Sequence, residues 1–136
     1  MIVVDASMAL AWCFEDEATD DTDRVLARVR QEGGTAPVLW RYEVGNALLS
    51  ARRRDRVTDA QLQRLTTLLA ALPVALDLDV PSATDLISAA QRHELTAYDV
   101  AYLLVAQRQG LPLATMDKQL AVAAIAAGVT VLPSVD

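Results

Sequence analysis

Short apolar runs alternate with longer amphipathic segments along this chain, and the alternation predicts a repeated strand and helix order. Met1 to Asp5 (MIVVD) is a continuous apolar run closed by an acid, the pattern of a central parallel strand buried on both faces. Thr35 to Leu39, Val74 to Leu78, Leu111 to Thr115 and Val129 to Leu132 supply four further strands. Helical spacing fills the intervals. Ala6 to Phe14 offers Met8, Leu10, Ala11 and Phe14 for packing, and Thr22 to Gln31 carries a narrow stripe of Val25, Leu26 and Val29. Trp40 to Arg54 places Val44, Ala47, Leu48 and Ala51 at i, i+3, i+4 and i+7.

Local signals set the boundaries. Gly33 and Gly34 end the second helix. Thr58 with Gln61 forms a capping box for a helix carrying Leu62, Leu65, Leu68, Leu69 and Leu72, and Pro73 closes it. Asp79 is expected to cap a helix from about Pro81 to His93. Thr96 reads as the next N-cap, with Asp99 in the capping-box position and almost no polar face before Gln107. Gly110 stops that helix, and a last one runs from Lys118 to Ala127. The expectation is a three-layer α/β/α fold with a central parallel sheet of about five strands, in a single domain over residues 1–136.

In such a fold, strand carboxyl ends and helix N-termini gather at one edge, where ligands bind at the switch in strand order. Asp5, Glu43, Asp99 and Asp117 are all expected there, Glu43 in the first turn of its helix with Asn46 on the same face as a supporting partner. Singly, each acid is explained by capping or by the helix dipole. Jointly they repel unless something cationic sits between them. Oxygen ligands without His or Cys select Mg²⁺ or Mn²⁺ over zinc. The single histidine, His93, is placed near a helix C-terminus and is expected at the opposite edge of the sheet, which disfavours both imidazole catalysis and a triad built on Ser7.

Composition sharpens this picture. The lone Cys13 allows no internal disulfide and points to a cytoplasmic protein, and Met1 to Val4 is neither signal peptide nor membrane span. A net charge of −6 argues against a general polyanion-binding surface. Arg52, Arg53, Arg54 and Arg56 form the one concentrated basic patch, either cations at a helix end or contacts for phosphates in this protomer's groove or across a dimer. The acidic run from Glu15 to Asp23 reads as a solvated connection, and Trp12 and Trp40 as packing or interface residues.

Asp5-Ala6-Ser7 after an apolar strand, Glu43 with Asn46-Ala47-Leu48, the TAYDxAY helix start at Thr96 to Tyr102, and Thr115-Met116-Asp117 together resemble PIN-domain ribonucleases, and more closely VapC-type toxins of toxin-antitoxin pairs. The resemblance runs from Met1 to about Leu132. It implies a PIN-like fold and a metal-dependent endoribonuclease acting on single-stranded regions of cellular RNA. It also implies a cognate VapB-like antitoxin and a homodimer as partners. Asp5, Glu43, Asp99 and Asp117 become the catalytic and metal-binding acids, Ser7 and Thr115 hydroxyls that steady water or metal, and Asn46 a supporting residue. Where many relatives carry a further acid, this chain has Lys118-Gln119-Leu120, so a second metal site is weak or is completed by substrate phosphate. Rival readings are a phosphoryl-transfer domain with Asp5 as nucleophile, in which Ser7 replaces a second Asp, and a PIN-fold binding module without catalysis.

Overall fold

The computed structural model describes residues 1–134; Val135 and Asp136 lie outside the described residues. Five strands form one parallel sheet, β1 (Ile2–Val4), β2 (Gly34–Pro37), β3 (Val74–Asp77), β4 (Leu113–Ala114) and β5 (Val131–Leu132), in the order β3-β2-β1-β4-β5. Seven helices connect them: α1 (Ala6–Cys13), α2 (Asp20–Glu32), α3 (Leu39–Arg53), α4 (Asp59–Ala71), α5 (Ala83–His93), α6 (Ala97–Gln109) and α7 (Lys118–Ala126). Helices α1 to α4 belong to crossovers leading from β1 towards β3, and α5 to α7 to those returning to β4 and β5. Right-handed connection of both sets puts them on opposite faces of the sheet.

The chain therefore winds outwards from β1 in one direction and then, after β3, jumps back across β1 to wind in the other. The switch falls between β1 and β4, the place where this topology leaves a crevice beyond the strand ends. Ile2, Val3, Val4, Leu113 and Ala114 are wholly buried, as strands covered on both faces require. β2 is built of small residues, Gly34-Thr35-Ala36-Pro37. A Cβ at Gly34 would meet methyl groups of Val74, Val29 and Val4 at 3.2 to 3.3 Å, so a side chain there would have to push these valines aside by a few tenths of an ångström.

Most expected boundaries agree with the structure to within a few residues, and three differ for identifiable reasons. The second helix begins at Asp20 and not at Thr22, because Thr19 and Thr22 exchange capping hydrogen bonds that draw the acidic run into the first turn. Helix α5 is capped by Ser82 and not by Asp79. Asp79 instead donates its N–H to Asp77 and pairs its carboxylate with Arg108. Helix α3 starts at Leu39 with no side-chain cap at all, so nothing in the sequence marked its first turn. Trp12 and Trp40 are packing residues, Trp12 donating its indole N–H to the Thr22 carbonyl.

Candidate active site

Strand β1 carries Asp5 to the switch point, where its backbone N–H donates to the Ala114 carbonyl at 3.1 Å. Its side chain caps α1, accepting the Met8 N–H at 2.8 Å. Ser7 Oγ donates to the same carboxylate at 2.7 Å, and Thr115 Oγ1 donates to its other oxygen. Three donors occupy three of the roughly four lone-pair positions a carboxylate offers, leaving about one. Asp5 is 4% exposed. Burial pushes its carboxyl up from 3.8 to about 6; the bonds from Thr115, Met8 and Ser7 oppose that rise, and the nearby Asp117 charge adds to it.

The two hydroxyls that hold Asp5 are themselves held. Ser7 Oγ accepts the Met116 N–H at 2.9 Å, and Thr115 Oγ1 accepts the Asp117 N–H at 2.9 Å. One network thus seats Asp5 and shapes the turn that presents Asp117. Asp117 is the N-cap of α7, its Oδ1 accepting the Leu120 N–H at 3.0 Å.

On α6, Thr96 Oγ1 accepts the Asp99 N–H at 3.0 Å. Asp99 does not return the bond, so the capping box is half formed and the carboxylate stays free at the edge. Burial pushes its carboxyl above the ordinary range, with Asp117 adding to the rise and the Thr96 bond opposing it. Glu43 lies in the second turn of α3 and not in the first, so the helix dipole is no account of its placement. Tyr102 Oη, from α6, donates to Glu43 Oε1 at 2.6 Å. Burial raises the Glu43 carboxyl against that bond, and the Asp99 charge raises it further. Asn46 is exposed, and the hydrogen bond to Glu43 comes from Tyr102.

A chain of like charges results, Asp5 beside Asp117, Asp117 beside Asp99, and Asp99 beside Glu43. None of the four takes part in an ion pair among the described residues. Nor, among the described residues, do three His, Cys, Asp or Glu side chains stand close enough together to hold a metal ion as they are. That spread still suits Mg²⁺, which keeps several waters and is held by one or two carboxylates together with substrate phosphates. The donor chemistry, hard oxygen throughout, fits such an ion.

Other expected residues fall elsewhere. His93 is at the acid edge and not at the opposite one, because α5 and α6 form an antiparallel hairpin that returns the C-terminus of α5 to the start of α6. There it shares a groove with Lys118 and Gln119, and Gln119 donates to the Glu94 carbonyl. It makes no hydrogen bond to any of the four acids. The arginine cluster lies at the far end of α3, about 15 Å of helix axis from Glu43. Arg52 is paired with Asp55 and Asp59. Arg56 is paired with Asp16 and Glu17 and sits 4.0 Å over the Phe14 ring. Only Arg53 and Arg54 extend without an ion-pair partner among the described residues.

Sequence reasoning passed over Tyr102. Its signal was present: a tyrosine on a helix almost without a polar face needs a partner for its hydroxyl, and it shares a face with Asp99 three residues before.

Over residues 2–126 the chain matches the PIN domain family. It is 33% identical over 124 residues to Ribonuclease VapC3 of Pyrobaculum aerophilum, covering 88% of this chain and 92% of that protein. It is 34% identical over 97 residues to Ribonuclease VapC1 of Mycobacterium tuberculosis, covering 70% of this chain and 71% of the relative. Its fold superposes on the crystal structure of PAE2754 from Pyrobaculum aerophilum with a TM-score of 0.71 and 30% identity, over 96% of this chain and 89% of that one.

Proposed function

The chain belongs to the PIN domain family, and from that premise we propose that it is a Mg²⁺- or Mn²⁺-dependent endoribonuclease of the VapC toxin type. Its substrate is single-stranded regions of cellular RNA, and a cognate VapB-like antitoxin holds it silent. The observation that carries this reading is the chain of four neighbouring carboxylates leading from the crevice between β1 and β4, none of them in an ion pair among the described residues.

Of Asp5, Glu43, Asp99 and Asp117, one or two would hold the cation directly and the others through its waters. When bound, it supplies Lewis-acid polarisation of the scissile phosphate and acidifies water for in-line attack. The protein's own contribution is placement. Ser7 and Thr115 fix the Asp5 carboxylate, and through the Asp117 and Met116 N–H groups they fix the turn beside it. Glu43, Asp99 and Asp117 are half-buried, so the edge stays open for an RNA strand to cross it sideways without threading an end.

A phosphoryl-enzyme at Asp5 fits poorly, because that carboxylate is buried and already accepts from Met8, Ser7 and Thr115. Residues 1–136 are read as one PIN domain. A homodimer is supported by apolar side chains exposed in register on helices, Tyr42 with Leu49 on α3 and Val122 with Ile125 on α7. No helix among the described residues is long and apolar enough to cross a membrane. A cytoplasmic site of action follows from an RNA substrate.

The test is cleavage of a circular single-stranded RNA by the purified protein with Mn²⁺, with Mg²⁺ and with EDTA, comparing wild type with Asp99→Asn. Linearisation that needs both metal and Asp99 is the expected result. Failure to open the circle while linear RNA is trimmed would replace endonuclease by exonuclease. No action on either RNA would favour the binding module.

A further inference from the structure

The Tyr102 hydroxyl, carried by α6, reaches an acid of the edge carried by α3. Tyr102 is 1% exposed, on a helix whose other inward side chains are apolar, and a phenol in such surroundings needs a partner. It finds Glu43 Oε1 at 2.6 Å. One hydroxyl thus ties α6 to α3, between residues 59 positions apart.

Glu43 needs such a restraint. It is half-buried, stands in the second turn of α3 beyond any capping contact, and has a side chain with three rotatable bonds. Among the described residues Tyr102 is its hydrogen-bond donor, and only Oε1 is engaged. Oε2 accepts no hydrogen bond among the described residues, and Asp99 is the neighbouring charge. Asp5 and Asp117 are fixed by short loops and helix caps, whereas Glu43 has this contact alone.

We propose that Tyr102 is a positioning residue: its hydroxyl fixes the Glu43 carboxylate against its neighbours and so sets how tightly the acid edge takes a divalent cation. The inference rests on the reading of that edge as a cation-binding centre. Partners that orient a metal-binding carboxylate typically change metal affinity by about 10- to 100-fold when removed.

The experiment is calorimetric titration of the metal-free protein with Mn²⁺ alone, for wild type, Tyr102→Phe, Glu43→Gln and the double variant, with thermal denaturation of each. Tyr102→Phe is expected to weaken Mn²⁺ binding by about 10-fold or more. In the Glu43→Gln background the same change should have no further effect, because Tyr102 acts through that carboxylate. A purely structural tyrosine would lower the melting temperature in both backgrounds and leave affinity alone. Affinity of folded Tyr102→Phe within twofold of wild type overturns the proposal, as does a further loss in the double variant. Wild type that fails to bind Mn²⁺ overturns the cation-centre reading itself, and the role of Tyr102 with it. If Tyr102→Phe does not fold, Glu43→Asp reads the same contact, since it keeps the charge but withdraws it from the hydroxyl; wild-type affinity in that variant also overturns the proposal.

Discussion

Thr115 Oγ1 donates a hydrogen bond to Asp5 Oδ2 across the switch point of the sheet and accepts one from the Asp117 N–H. A single hydroxyl therefore seats one acid and aims the turn that carries another. Thr115→Val keeps the shape and removes both bonds. Leaving a buried carboxylate short of a donor is expected to cost about 1 to 3 kcal/mol at pH 7, read by urea denaturation. RNA cleavage should fall with it. Unchanged stability would mean that water replaces the hydroxyl.

The metal-free protein is expected to gain stability as pH falls from neutrality. Burial pushes the Asp5 carboxyl up to about 6 from an unfolded value of 3.8. A carboxyl raised on folding contributes stability that is full below the unfolded value and is lost as pH rises through the folded one. From Asp5 alone, the fold should be roughly 1 to 2 kcal/mol more stable at pH 5 than at pH 7.5. Glu43 and Asp99 are shifted in the same sense. Asp77 acts oppositely: its burial is outweighed by bonds from the Asp79 N–H, Arg108 and Gln109, which hold it below its ordinary value. Its contribution is lost in more acidic solution, so stability should turn down below about pH 4. Denaturation midpoints across this range, with and without Mn²⁺, check both the sign and its removal by metal.

Asp117 combines a structural and a chemical duty that substitution can separate. Asn retains an oxygen for the Leu120 N–H but not the charge, so Asp117→Asn should melt close to wild type and lose cleavage. Asp117→Ala loses the cap as well and should be about 1 kcal/mol less stable than the Asn variant. Equal melting temperatures for the two would show that the cap contributes nothing.

Arg53 and Arg54 stand at the end of α3 remote from the acids. The double change to Ala should leave kcat/KM on a short RNA within about twofold, because that end lies about 15 Å of helix from Glu43. A marked loss, steeper at low salt, would extend the RNA path to the far side of the molecule.

Gly34→Ala should destabilise the fold by about 1 to 3 kcal/mol through overpacking, since the added methyl meets three valines, of which Val4 and Val29 are wholly buried. Equilibrium unfolding reads this directly.

The strand and helix order was legible because β1, β4 and β5 lie in short apolar runs and most helices carry a cap or a glycine stop, as at Thr58, Thr96 and Gly110. The acids were legible for the same reason, since Asp5, Asp99 and Asp117 sit at such junctions. Contacts made by long-range closure were not. Nothing local ties Tyr102 to Glu43, 59 residues away, and Asn46 was the plausible partner only by helical spacing. His93 was misplaced because a helix end fixes an edge only if the chain crosses the sheet next, and here α5 folds back on α6. The arginines were visible as a cluster, yet their pairing with Asp16, Asp55 and Asp59 depends on loops that the sequence pattern does not place.

Strand β1 is made first and ends in the middle of the sheet, with β4 as one of its two neighbours. At typical ribosome speeds, on the order of 5 to 20 s separate the synthesis of Asp5 from that of Thr115, its hydrogen-bond donor 110 positions later. Throughout that interval the growing chain holds Asp5, and later Glu43 and Asp99, but lacks both the hydroxyl that seats the first acid and the fourth acid, Asp117. A nuclease wound in this order has no finished centre until Asp117 has left the ribosome.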